Sequence, residues 1–154
     1  MAPGNDSGAA KAAASDKPGT PMLGDAPATS PAAAEAKAVA ERYFDLIEKK
    51  KYRDAWLLWG NGGADSKGTA TQFADSFKPF SVYEPTVGEP TEIKARDGQQ
   101  FIAVAASAHV KIRKTGKEQE RSGVVMLRRS ADPSETIDEK KNWRIWGVDL
   151  RVRH

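Results

Sequence analysis

Phe101-Ile102-Ala103-Val104-Ala105-Ala106-Ser107-Ala108-His109-Val110-Lys111-Ile112-Arg113 is followed, through Lys114-Thr115-Gly116-Lys117, by a second segment, Ser122-Gly123-Val124-Val125-Met126-Leu127-Arg128-Arg129. These two segments carry the periodicity of a paired sheet. In the first, Ile102, Val104, Val110 and Ile112 are separated by even steps, while Ser107, His109, Lys111 and Arg113 take the other parity. A period of two belongs to a strand, so one face is apolar and the opposite face carries small and polar groups. The second segment returns as the partner strand of a hairpin, and the stretch from Asn142 to Arg153 supplies a third strand. A sheet with one apolar face must be covered, and the residues before it are the ones left to cover it.

The chain of 154 residues is long enough for one domain with a sizeable core plus a tail. Its formal charge of +3 is mildly basic and lacks the dense Lys/Arg clustering of nucleic-acid binders. The absence of cysteine excludes disulfides, thiolate metal sites and a cysteine nucleophile. No apolar run approaches the roughly 18 residues of a membrane span, and the N-terminus lacks the apolar core of a signal peptide.

Residues 1–30 are dominated by Ala, Pro, Gly, Ser, Thr and Asp, with Met22-Leu23 as their one bulky apolar pair. Such a stretch buries too little surface to offset the entropy of ordering it and reads as a disordered tether, with a single α+β domain over 31–154. Tails of this composition often follow a removed export signal or lipidated residue in bacterial envelope proteins. The plainer alternative is an ordinary flexible terminus.

Three helices are expected before the first strand. Ser30-Pro31 pairs an N-cap with a proline at the first helical position, and Ala36, Val39, Ala40, Tyr43, Leu46 and Ile47 form an apolar stripe running to about Lys50. Tyr52, Ala55, Trp56 and Trp59 recur at helical spacing up to Gly60-Asn61-Gly62-Gly63. Thr69-Ala70-Thr71-Gln72 has the form of a capping box, with Phe73 and Phe77 following at helical spacing until Pro79. Pro85, Gly88 and Pro90 make the strands between Phe80 and Lys94 short or peripheral. Arg96-Asp97-Gly98-Gln99 signals a tight turn, and Ser130 to Lys141 reads as a long loop. In the last strand, strict alternation puts Trp143, Ile145, Gly147 and Asp149 on one face and Arg144, Trp146, Val148 and Leu150 on the other.

The segments Ala38-Val39-Ala40-Glu41-Arg42-Tyr43-Phe44 and Lys51-Tyr52-Arg53-Asp54-Ala55-Trp56, then Phe73 and Phe77, and finally Asn142-Trp143-Arg144-Ile145, together with the order of elements, resemble the nuclear transport factor 2-like superfamily. More narrowly they resemble its bacterial envelope members, over about Pro31 to Arg153. The resemblance implies a cone in which N-terminal helices pack on a curved, mostly antiparallel sheet. It also implies a range of roles: isomerases, cyclases and dehydratases acting on small hydrophobic molecules, plain binding domains, cell-wall accessory domains and periplasmic secretion-system modules. The fold alone does not choose among them.

Several constellations bear on that choice. His109, on the parity of Ser107, is the one internal histidine; the resemblance implies a general base inside the cone, and Asp149, on the parity of Trp143 and Ile145 in the last strand, is the candidate for its orienting carboxylate, the plainer alternative being an exposed or internally satisfied strand histidine. Tyr43, Trp56, Trp59, Phe73, Phe77, Trp143 and Trp146 are pocket-lining candidates for a small hydrophobic ligand, although aromatics at helical spacing are commonly core. Lys111, Arg113, Arg128 and Arg129 suggest a basic sheet face able to meet an acidic partner, lipid headgroups or a polyanion, or simply strand-end solvation. Gly63 to Thr69 has glycines at phosphate-loop spacing, but no lysine follows Gly68 and the stretch succeeds a helix. No metal-ligand spacing, nucleophile elbow or cofactor motif is present.

The expected role is therefore a non-catalytic binding or assembly module of the bacterial cell envelope. It would lie in the periplasm or be tethered by a removed N-terminal anchor, and would meet a protein partner or a second copy through the sheet face. The alternatives are a cone-pocket enzyme using His109 and Asp149, a secretion-system or cell-wall accessory domain, and a cytoplasmic location.

Overall fold

The structure is a computed structural model and describes residues 22–153. Helix α1 (Pro31–Glu48) starts as expected: the Ser30 hydroxyl accepts from the Ala33 amide at 3.2 Å, with proline at the first helical position. Its buried face carries Ala36, Ala40, Tyr43, Leu46 and Ile47 of the expected stripe, with Ala33 and Phe44 added. Helix α2 (Tyr52–Trp56) stops a turn earlier than its spacing predicts. The backbone beyond it is needed elsewhere: the Ile145 amide donates to the Leu58 carbonyl at 3.0 Å, and the Gly60 amide to the Ile145 carbonyl at 2.8 Å. This bridge lies beside the last strand and pairs groups that would otherwise be orphaned at the sheet edge. A 3-10 turn (Asn61–Ser66) follows, then α3 (Ala70–Asp75). The capping box at the start of α3 is complete: Thr69 Oγ1 accepts from the Gln72 amide at 3.1 Å, and Gln72 Oε1 accepts from the Thr69 amide at 2.8 Å.

Five strands form one antiparallel sheet: β1 (Phe80–Pro90), β2 (Lys94–Arg96), β3 (Gln99–Ile112), β4 (Glu118–Ser130) and β5 (Arg144–Val152). The order is β1-β3-β4-β5, with β2 also pairing with β3. β1 is an edge strand, as its prolines predict, but it is 11 residues long and is bent by irregularities at each end of its pairing. The β2–β3 turn holds Asp97 and Gly98 at φ of 53° and 77°, the pair of positive values that a two-residue hairpin of type I′ requires. Between β4 and β5 a single turn, α4 (Asp138–Lys141), interrupts the expected loop.

Alternation decides the layers. Ile102, Val104, Ala106 and Val110 of β3, with Val125 and Leu127 of β4, face the helices and are buried. Burying these side chains against α1 stabilises the domain by about 1.5–3 kcal/mol for each large one. In β5 the strict alternation fails. Leu127 pairs with Ile145 while Met126 pairs with Gly147, so a bulge absorbs Trp146 and the parity inverts beyond it. Val148 and Leu150 pack against the core, and Asp149 points outward with Gly147.

Of the expected tether, residues 1–21 lie outside the described residues. Residues 22–30 are pinned to the sheet: Ala26 pairs with Ile93, the Leu23 amide donates to the Ala131 carbonyl at 2.6 Å, and Gln100 Nε2 donates to the Gly24 carbonyl at 2.7 Å. Ile93 is thereby completely buried.

Candidate functional site

The pleat gives the sheet an outer face free of helices. At its centre stand Ala103, Ala105 and Ser107 of β3 beside Ser122, Val124 and Met126 of β4, which are small or apolar groups paired in register. At one end Phe101 and Trp146 meet edge-to-face at 6.1 Å, with Arg96 over the Phe101 ring and Arg128 over the Trp146 ring. Trp146 is 39 % exposed. At the other end His109 sits between Glu84 of β1 and Glu120 of β4, its direct neighbours in register.

His109 is therefore an outer-face residue and does not line the cone. Its Nδ1 bonds Glu120 Oε2 and its Nε2 bonds Glu118 Oε1 at 2.7 Å. An imidazole that bonds a carboxylate from each nitrogen must donate from both, which is the protonated form. The bond to Glu120, then that to Glu118, raises its pKa above the ordinary histidine value, against a smaller opposing effect of desolvation. A ring held this way is a poor general base at neutral pH.

Asp149 does not join it. Asp149 lies opposite Val124, which in turn lies opposite Ala105, four positions along the strand from His109 and two strands away. At about 3.3 Å per residue and about 4.8 Å per strand, the separation is roughly 16 Å. Asp149 instead accepts from Arg151 Nε at 3.0 Å. The acid–base pair expected from the sequence is not assembled: both residues lie on the outer face, but register holds them four positions and two strands apart.

The aromatic candidates divide four ways. Tyr43, Trp59, Phe73 and Phe77 do meet beneath α1: Tyr43 lies 6.4 Å from Trp59 and 6.1 Å from Phe73, and Phe73 lies 5.2 Å from Phe77. Tyr52, stacked on Phe77 at 5.3 Å, and Tyr83 complete this interior cluster and were missed from the sequence. Burial raises the Tyr43 phenol far above its ordinary value and pushes Tyr83 up to about 12. Trp143 is buried at the start of α1, donating to the Ala32 carbonyl at 3.1 Å. Trp56 braces the 3-10 turn, donating to Ser66 Oγ and to the Gly68 carbonyl at 3.1 Å each. Ser107 and Trp146 belong to the outer face.

The basic candidates are likewise dispersed. Lys111 and Arg128 take outer-face positions at opposite ends of the sheet. Arg113 lies past the end of β3, bound to the carbonyls of Lys78 and Phe80. Arg129 faces the core, 4.6 Å over Trp143, and pairs with Glu35 at 3.4 Å and Gln100 at 2.8 Å. Burial lowers its pKa below the ordinary guanidinium value, with Glu35 opposing the shift. Arg121 projects over an aromatic ring instead, 5.0 Å from the centre of Phe80, and its buried Nε has no hydrogen-bond partner. Among the described residues no group of three or more acidic, histidine or cysteine side chains is placed to hold a metal, and no helix is long and apolar enough to cross a membrane.

Helices packed on one face of a curved antiparallel sheet define a nuclear transport factor 2-like α+β fold, and solved structures bear this out. An NTF2-like superfamily protein from Salmonella enterica serovar Typhimurium matches 79 % of this chain and 92 % of its own, with a TM-score of 0.50 and 17 % identity. The Kfla4162 protein from Kribbella flavida matches 80 % of this chain and 91 % of its own, with a TM-score of 0.53 and 14 % identity. No protein-family model and no curated protein matches the chain. At these identities the likeness concerns the fold and leaves the role open.

Proposed function

We propose that this chain is a non-catalytic binding or assembly module of the bacterial cell envelope that works through the outer face of its sheet. The partner that face best suits is a second copy of the chain. The observation carrying this reading is the charge pattern around a small-residue centre. Lys94, Arg96 and Arg128 mark one end of the face, and Glu84, Glu118 and Glu120 mark the other, where they outnumber Lys111 and the protonated His109. A two-fold axis crossing the strands would lay the basic end of one copy over the acidic end of the next; an axis along the strands would stack like charges. Ala103, Ala105 and Gly147 would let the two sheets approach closely, and Trp146 would be the large apolar anchor. The envelope setting rests on the composition of the N-terminal tail.

Sedimentation equilibrium tests the interface. Self-association is expected, weakened by salt, and abolished by Ala105→Arg, which places a bulky cation at the exposed centre without entering the core. A chain that stays monomeric at about 100 μM, some hundredfold above the micromolar range of weak specific dimers, would sink the interface reading. Fractionation of cells producing the full-length protein tests the setting, and recovery solely in the cytosol would remove the envelope from it.

A further inference from the structure

A second concave feature lies at the end of the molecule where the β2–β3 turn, the end of β4, the start of β5 and the 3-10 turn converge. It is a cavity of about 340 Å³. It lies apart from the aromatic interior and adjoins the end of the outer sheet face, with which it shares Arg128. Its size falls at the lower end of the range of small-molecule sites, roughly 300–1,000 Å³.

The lining is polar and holds four basic and four acidic side chains. Part of this charge is spent within the protein. Arg128 pairs with Asp65 at 3.0 Å, Arg129 turns away to Glu35, and Glu139 accepts from the Asn61 amide at 2.7 Å. The rest is not. Among the described residues Asp97, Glu135 and Lys140 join no salt bridge, and Arg144 Nε stands 3.9 Å from Glu139, too far for a hydrogen bond. Two lining residues also carry buried side-chain atoms without a hydrogen-bond partner, the acceptor Gln99 Oε1 and the donor Arg144 Nε. Buried polar atoms are rarely left unpaired, because each costs the desolvation of the group.

We infer that this cavity binds a zwitterionic, amino-acid-like small molecule, such as a free amino acid or short peptide. Its carboxylate pairs with Lys140 and Arg144, its ammonium with Glu135 and Asp97, and an amide hydrogen bonds Gln99 Oε1. A balanced lining disfavours a strongly charged ligand of either sign. Unspent groups of both signs, beside one orphan donor and one orphan acceptor, call for a ligand that carries both charges and both hydrogen-bonding roles. Six of the lining residues are glycine, asparagine, glutamine, serine or lysine by type and none is aromatic or aliphatic, so apolar molecules gain little there.

The test titrates three probes into the whole chain and follows backbone and side-chain amide resonances by NMR. Glycylglycine carries both charges, N-acetylglycine only the negative one and glycinamide only the positive one. For a probe this small a Kd on the order of 10 mM is expected. Glycylglycine should shift the amides of Asn61, Gly98 and the Gln99 side chain saturably, and the two singly charged probes should bind about tenfold more weakly or not at all. Glu135→Gln, at a half-buried position, and Lys140→Met, at an exposed one, should each weaken glycylglycine about tenfold while leaving the spectrum elsewhere unchanged. Absence of saturable shifts at these amides, equal binding of all three probes, or unaltered affinity in both variants would overturn the assignment.

Discussion

Gly123, in the middle of β4, offers a sharp test of the packing described above. A Cβ built there would lie 1.7 Å from the backbone oxygen of Asp149 and 3.3 Å from the Cα of Leu150. These are main-chain atoms of β5 and cannot rotate aside, so Gly123→Ala must part the two strands locally. The pairs most exposed to that separation are Gly123–Leu150, Ser122–Arg151 and Arg121–Val152, at the free end of β5. Releasing them gives up part of the burial of Leu150 and Val152, about 1 kcal/mol each, and at least one ladder hydrogen bond worth about 1 kcal/mol. The expected destabilisation is therefore about 3 kcal/mol, or about 9 °C in Tm for a domain of this size. Gly147→Ala is the control. There the added Cβ would approach the Cε of Met126 at 2.4 Å, the far end of a flexible side chain that can turn away. Its cost should stay below about 1 kcal/mol. Thermal unfolding followed by far-UV circular dichroism compares both variants with the parent chain. If Gly123→Ala melts within about 2 °C of the parent, β4 and β5 are not held at this distance and the argument fails.

Other predictions follow from local features. His109 has a folded-state pKa above its unfolded value, so its contribution to stability is complete below about 6.5 and is lost as pH rises through the folded pKa. Urea denaturation of the parent and of His109→Gln over a pH series should show the largest gap on the acid side, narrowing as pH increases; a gap that widens with pH would contradict the doubly bonded imidazolium. Thr69→Ala removes one arm of the capping box and should cost about 1 kcal/mol. Gln72→Ala removes the other, and because both act on one cap, the double variant should cost less than the sum of the two in a thermal double-mutant cycle.

Local pattern determined much about this protein. The even spacing of Ile102, Val104 and Val110 announced the central strand, Ser30-Pro31 and Thr69-x-x-Gln72 marked two helix starts, Asp97-Gly98 set a hairpin turn, and Pro85 and Pro90 placed β1 at an edge. Each of these signals acts within a few residues through sterics or hydrogen bonds of the local backbone, so sequence alone carries it. Tertiary pairing decided the rest. The bulge at Trp146 arises from how β5 meets β4, and it reversed the parity of Asp149, which strict alternation had put with Ile145. The early end of α2 came from backbone groups around Trp59 pairing with Ile145, far along the chain. His109 found its two glutamates through register with β4, and the polar cavity gathered Asn61, Gln99, Glu135 and Arg144 from four separate segments. Such contacts join residues distant in sequence, and no periodicity within a window encodes which distant segment will pack against it.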